Sequence, residues 1–252
     1  MHPNPTPTYQ LTNYSYELFF DFMLAEILIV MFLAGLVSLD KTEVGQTMLS
    51  QPLVSGPLVG LILGDLTTGM EMGALFQLIW FWVLPIGSAV FPDTAVGGVA
   101  ASALSIWLKR TDLSTNGNLG LFLLVLYVIV FSLFSGWSII KQRKYSFRFI
   151  QKAEIFSEEK GFKKIGQLVW HAVFVSFLRG VFFGGLAVVG FYLVFLPVLK
   201  NLSSLPQAYF GFTKTVILGF GCACAFSFFG RKANWVWISL GSAIAIFVFF
   251  IL

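Results

Sequence analysis

Charge is what this 252-residue sequence has least of. Only 11% of its residues are Asp, Glu, Lys or Arg, against roughly 25% in soluble domains. With 57% of positions apolar, too few polar residues remain to cover a soluble fold of this size. That excludes an ordinary cytosolic enzyme, a disordered regulator and a nucleic-acid binder. Cysteine is almost missing as well. Cys222 and Cys224 stand two apart in an apolar run, too close for an unstrained disulfide and too few for a metal site, so they read as small packing residues. The chain has two histidines and lacks a G-x-x-x-x-G-K-[ST] loop, a nucleophile motif and a zinc signature. No ATP motor, metal or other cofactor is therefore expected in it. Residues 1–17 contain no Lys or Arg, which removes the basic start of a signal peptide. They read as a polar, flexible N-terminal tail, and insertion is left to the first span.

What is present fits a lipid surround. Apolar runs cover 18–39, 117–140, 167–196, 209–229 and 233–252, each near or above the ~20 residues that cross a hydrocarbon core as helix. Twenty-nine Phe and seven Trp suit a lipid-facing surface with interfacial anchors. Between the first two runs lie shorter ones. Residues 52–64 are apolar but begin with Pro52 and Pro57, 69–84 are short, and 94–108 are rich in Ala, Gly and Ser. Short, Gly/Pro-broken runs in succession indicate re-entrant or broken helices, tolerated at membrane depth where they are buried in protein or line a polar cavity. The expected fold is all-α: a polytopic membrane domain over 18–252, with re-entrant or broken helices in the first half.

The charges are unevenly placed. Residues 1–108 hold eight acids and one base, Lys41, whereas 109–252 hold fifteen bases and four acids. Residues 141–164 alone carry eight Lys/Arg and three Glu. The positive-inside rule puts this stretch in the cytoplasm, as a solvated loop, a surface-lying amphipathic helix or a docking segment for a partner. Lys109 and Arg110, one span earlier, fall on the opposite side.

Glycines at 56, 60 and 64, repeated at 69 and 73, give a smooth helix face for close packing. Four polar residues among these runs are candidate ligand contacts: Asp65, Glu71, Gln77 and Asp93. An intramembrane carboxylate costs roughly 2.5–3.5 kcal/mol on insertion scales, so it tends to face a cavity, a partner or an interface. Asp65 precedes Thr67 and Thr68, and Asp93 follows Pro92 and precedes Thr94; either residue is placed to cap a helix or to meet a ligand. Glu71 and Gln77, six residues apart, do not share a helix face. The Gln77 amide offers two donors and an acceptor, suited to sugar hydroxyls or to an interhelical bond. Trp80 or Trp82 could cover an apolar sugar face. His171 and Arg179 lie near one face of a long run, where Arg179 could pair with a first-half carboxylate.

The segment from Gln51 to Gly69, QPLVSGPLVGLILGDLTTG, then GALFQL at 73–78, then PIGSAVFPD from Pro85 to Asp93, resembles the membrane C component (enzyme IIC) of the mannose/sorbose family of bacterial sugar phosphotransferase systems. The blocks come in the family's order and spacing over about 65 residues. The resemblance implies a permease subunit in the bacterial inner membrane that binds and translocates a hexose-type sugar. It implies a hetero-oligomer with a membrane IID component. Cytoplasmic IIA and IIB components would relay phosphate from phosphoenolpyruvate, so that this chain has no phosphohistidine and no catalytic residue of its own. Two departures stand out: Gln77 occupies a position that is commonly Glu in the family, and the tail 1–17 is longer than usual. A gradient-driven secondary transporter using Asp65, Glu71 or Asp93 as an ion site is the competing expectation.

Overall fold

A computed structural model describes residues 7–41, 43–45, 47–83, 92–111, 117–158 and 162–229. The turn expected around Pro85 and Gly87 and the span expected over 233–252 lie outside the described residues. The described elements are helices: α1 (Pro7–Asp40), α2 (Pro52–Leu63), α3 (Leu66–Ile79), α4 (Thr94–Lys109), α5 (Gly117–Glu158), α6 (Phe162–Gly190), α7 (Leu196–Leu202) and α8 (Thr213–Phe229). A five-residue π-helical stretch, Phe191–Phe195, joins α6 to α7. Four stretches are long and apolar enough to cross a membrane: Met23–Asp40, Gly117–Gln151, Lys163–Leu202 and Gln207–Ser227. The protein is thus an all-α, multi-pass membrane protein.

The short runs form the centre. Helix α2 starts with Pro52 in its first turn, where a missing N–H costs nothing. It ends at Gly64, whose φ of 76° is left-handed, and the next N–H, of Asp65, returns to the Gly60 carbonyl at 2.9 Å. Glycine takes that conformation without a Cβ penalty. Asp65 immediately caps α3 by accepting from Thr68 N–H at 3.0 Å, so two residues turn the chain back on itself. The hairpin seam is glycine against glycine. A Cβ on Gly56 would stand 2.6 Å from the Gly69 carbonyl oxygen, and one on Gly69 2.7 Å from the Gly60 Cα. The smooth face expected from the glycine spacing is this seam, except that Gly64 serves as the cap. At 12 and 14 residues, α2 and α3 reach only about 20 Å. This is the broken-helix region expected in the first half.

Helix α4 is enclosed on every side: residues 94–108 are all buried. Its small side chains explain how. Gly97 lies against Trp80 and Ser132, and Gly98 against Pro52 and Ser55 of α2, where any Cβ would crowd the neighbour. Helices α1 and α6 pack by the same device, with Gly35 against Phe177 and Val181, and Gly180 against the Ala34 backbone.

Two expectations need correction. Helix α1 begins at Pro7, so helical backbone extends well into the segment read as a flexible tail. The stretch 141–164 is not a loop. Helix α5 runs unbroken through it to Glu158, 42 residues in all, and α6 resumes at Phe162. Its Lys, Arg, Gln and Glu are good helix formers and no Gly or Pro interrupts them before Gly161, so a charged stretch is not a signal for helix termination.

Candidate functional site

The polar groups collect at the two ends of α4, about 24 Å apart along its 16 residues. One end holds Asp93. Its side chain is fully buried and caps α4 by accepting from Val96 N–H at 3.4 Å. The Ser135 hydroxyl of α5 donates to it at 2.7 Å, and Arg179 of α6 at 2.8 Å. Arg179 also donates to Ser38 of α1. Lys41 donates to the Pro92 carbonyl at 2.9 Å and to the Thr94 hydroxyl at 3.3 Å. Burial lowers its ammonium pKa to about 8; Asp93 opposes that shift, and Arg179 and Arg143 add to it. Next to it Asp40 accepts from Thr47 N–H at 2.5 Å, its hydroxyl at 2.7 Å and Ser50 N–H at 2.9 Å. Four segments of the chain are tied together here. The base of the hairpin lies at this end too, through Pro52 against Gly98.

The other end carries Lys109 and Arg110. Arg110 grips buried Glu26 of α1 through both carboxylate oxygens, at 2.7 and 2.9 Å, and donates to the Leu63 carbonyl at the hairpin tip. Trp107 N–H completes Glu26 at 2.9 Å. Lys109 donates to the Thr68 hydroxyl, which donates to Asp65, and stands 3.6 Å from that carboxylate. Hydrogen bonds from the Thr68 hydroxyl and N–H, with Lys109 behind them, hold the Asp65 carboxyl below its ordinary range. Glu71 pairs with Lys214 of α8. Both line a cavity of about 240 Å³ with Ser105, Lys109 and Asn118, floored by Met72, Leu108, Leu121 and Leu124.

The four candidate residues are therefore not one constellation. Asp65 and Glu71 share the Lys109 end, and Glu71 alone lines the cavity. Asp93 is sealed at the opposite end. Gln77 sits half-buried at the hairpin base, its amide oxygen accepting from Leu53 N–H at 3.3 Å and its NH2 donating to Gln51 at 3.1 Å. Both readings of Asp65 and Asp93 as helix caps hold, and Arg179 does pair with a first-half carboxylate. Trp80 is buried against Phe76 and Gly97 and is not free to cover a sugar, whereas Trp82 is exposed. His171 meets the ring of Phe149 edge-on at 5.2 Å. Gln51, Glu26, Lys41, Ser135 and Lys214 were not singled out from the sequence as site residues. Of the second end, the sequence marked Asp65 and Glu71 as candidate contacts and set Lys109 and Arg110 apart by their sidedness. Three hydroxyls packed around this core, of Ser55, Ser102 and Ser132, are buried without a hydrogen-bond partner among the described residues.

Residues 24–251 match the family described as "PTS system sorbose-specific iic component". The chain is 38% identical over 78 residues to the second N-acetylgalactosamine permease IIC component of Escherichia coli K12, an alignment covering 31% of this chain and 56% of that one. It is 41% identical over 81 residues to the fructose permease IIC component of Bacillus subtilis 168, covering 32% of this chain and 28% of the relative. The matched part is thus about half or less of these relatives' lengths. Among solved structures, a chain from the mannose transporter ManYZ in complex with microcin E492 superposes with a TM-score of 0.56 at 18% identity, covering 89% of this chain and 87% of that one. A chain described only as a membrane protein superposes with a TM-score of 0.70 at 18% identity, covering 88% and 87%. At that identity both show a shared fold.

Proposed function

Because the chain belongs to the family of sorbose-specific IIC components of the phosphotransferase system, we propose that it is the membrane permease subunit of a phosphoenolpyruvate-dependent sugar phosphotransferase system. It binds a hexose-type sugar and passes it across the bacterial inner membrane. A IID component completes the membrane unit, and cytoplasmic IIA and IIB components phosphorylate the sugar as it arrives. The basic extension of α5 lies in the cytoplasm by the positive-inside rule. Asp93 is at that end of the bundle and the Glu71 cavity at the other, as is the part of α1 near Glu26. The cavity then faces outside.

The observation that carries this reading is a cavity rimmed by Glu71, Lys109, Asn118 and Lys214 over an apolar floor, beside a helical hairpin too short to cross the membrane. A hexose has many hydroxyls and no net charge. Carboxylates, amides and ammonium groups at the ends of short helices can take those hydroxyls in pairs without any chemistry at the sugar. Glu71 meets the sugar at the outer cavity, and Asp65 lies at the same end, behind Lys109. Gln77, with Gln51 beside it, offers amide donors and acceptors at the hairpin base. Asp93 stands at the inner end, reached when its pair with Arg179 parts. Losing one hydrogen bond to a charged group costs roughly 1.5–3 kcal/mol, or about ten- to a hundred-fold in affinity.

Uptake by membrane vesicles carrying all components tests the function, with mannose, fructose, sorbose and N-acetylgalactosamine as the panel. Accumulation of sugar phosphate that requires phosphoenolpyruvate is the expected result. Uptake that persists without it and collapses with an uncoupler would establish a gradient-driven transporter instead. Sugar affinity and the amount of assembled complex, measured in one preparation, test the contacts. Gln77→Ala and Asp93→Asn should each weaken affinity about tenfold or more, and Gln77→Glu should be tolerated. Unchanged affinity in both loss-of-contact variants would sink the assignment.

A further inference from the structure

Helix α5 carries a stripe whose character changes along its length. Val130, Leu133, Phe134, Trp137, Lys141, Lys144 and Arg148 recur at three- and four-residue steps, so they follow one face of the helix. Every one of them is exposed. The opposite face, Val128, Ser135 and Ile139, is buried in the bundle. The apolar part of α5, residues 117–140, spans about 36 Å as helix, enough for a ~30 Å hydrocarbon core. Among the described residues its outward face at Val130, Phe134 and Trp137 is apolar, bulky and exposed, although Phe134 meets Phe183 edge-on at 5.7 Å, so lipid tails are its natural neighbours. The same face then turns basic. The switch is marked by Trp137, an interfacial residue type, whose ring holds the Lys141 ammonium 3.5 Å from its centroid. Lys141 is the first residue past the hydrocarbon, with Lys144 about 4.5 Å and Arg148 about 10 Å further along the axis.

We propose that Trp137, Lys141, Lys144 and Arg148 form a binding surface for the headgroups of anionic phospholipids in the leaflet at the Asp93 end of the bundle. Continuity decides the occupant. A face that meets acyl chains for about two turns, from Val130 to Trp137, meets the phosphates of the same lipids one turn later. Three cations with long stems can lie along the helix and place their heads at that level. None of the three pairs with a carboxylate of this chain among the described residues, so their charge is available to a lipid. The indole of Trp137 fills the boundary between tail and headgroup. Each cation near a membrane surface contributes about fivefold in affinity for anionic lipid.

The test uses the full chain reconstituted into bilayers of phosphatidylglycerol and phosphatidylcholine. Brominated versions of each lipid in turn report relative occupancy by quenching tryptophan fluorescence. The wild-type chain should prefer phosphatidylglycerol, and the preference should fall with added salt. The combined variant K141Q/K144Q/R148Q should lose the preference, by about fivefold per charge removed. The charge-keeping variant K141R/K144R should retain it, which separates charge from folding. Equal preference in the wild type and the triple variant overturns the proposal, as does loss in both variants alike. An unchanged lipid preference accompanied by loss of a bound acidic protein partner also overturns it, and would reassign the face to that protein.

Discussion

Both ends of α4 gather charge, but they expose it differently. At the Asp93 end the carboxylate has no accessible surface and its partner Arg179 only 11%. Ser135, Ser38, Lys41 and the α4 N-terminus close around them. At the other end Lys214 and Lys109 are more than half exposed, and Glu71 about one-third, around a cavity that a solute can enter. A buried pair strongly resists losing one member, because the remaining charge has nowhere to be solvated. An exposed pair contributes little to stability and can rearrange around a solute. The closed end is therefore built to hold segments together and the open end to exchange partners. Arg110 and Glu26 are intermediate: the acid is buried and the base is nearly half exposed.

Breaking the closed end should have the largest effect. Asp93→Ala leaves Arg179 uncompensated, and the loss should be about 3–5 kcal/mol, read as a large drop in the temperature at which the detergent-solubilised protein stops eluting as a single species. Combining it with Arg179→Met should recover much of that loss. A double variant no better than the single one would mean the ion pair is not what the closed end depends on. Glu26→Gln should come next. It keeps the shape but removes the charge that Arg110 and Trp107 address, and about 1–3 kcal/mol should be lost. The same elution measurement decides it, and a value near that of Asp93→Ala would erase the gradation between the ends. Smallest of all is Lys214→Ala. Removing an exposed ion pair should change stability by less than about 1 kcal/mol, and the small effect should shrink further in high salt. If sugar uptake also stayed unchanged, the open end would lose its claim to handle solute.

How much of this was readable beforehand depends on the range of each interaction. The caps at Asp65 and Asp93 were legible because a short acceptor before a helix bonds an N–H three residues on. The glycine seam was legible because its spacing repeats within one hairpin. The state of 141–158 stays open in the sequence between a loop and an amphipathic helix, because charge patterning fits both. Which charge meets which was legible only for Arg179, and there only as far as a carboxylate of the first half. Glu26 and Arg110 lie 84 residues apart, Asp93 and Arg179 86, and Glu71 and Lys214 143. Only the sequence distance is known before folding, and any acid in the first half could have met any base in the second.

By itself, then, the sequence determined that the chain lives in a membrane, because its few charges cannot cover a soluble surface. It also determined that the centre is built from short glycine-rich helices, because those runs are too short and too broken to cross. The tertiary structure alone decided that α4 is the enclosed axis, that Asp93 is sealed while Glu71 opens to a cavity, and that the basic stretch continues a helix. The reason is physical: caps and periodicities act within a few residues, whereas burial and ion pairing are set by which distant segments pack together.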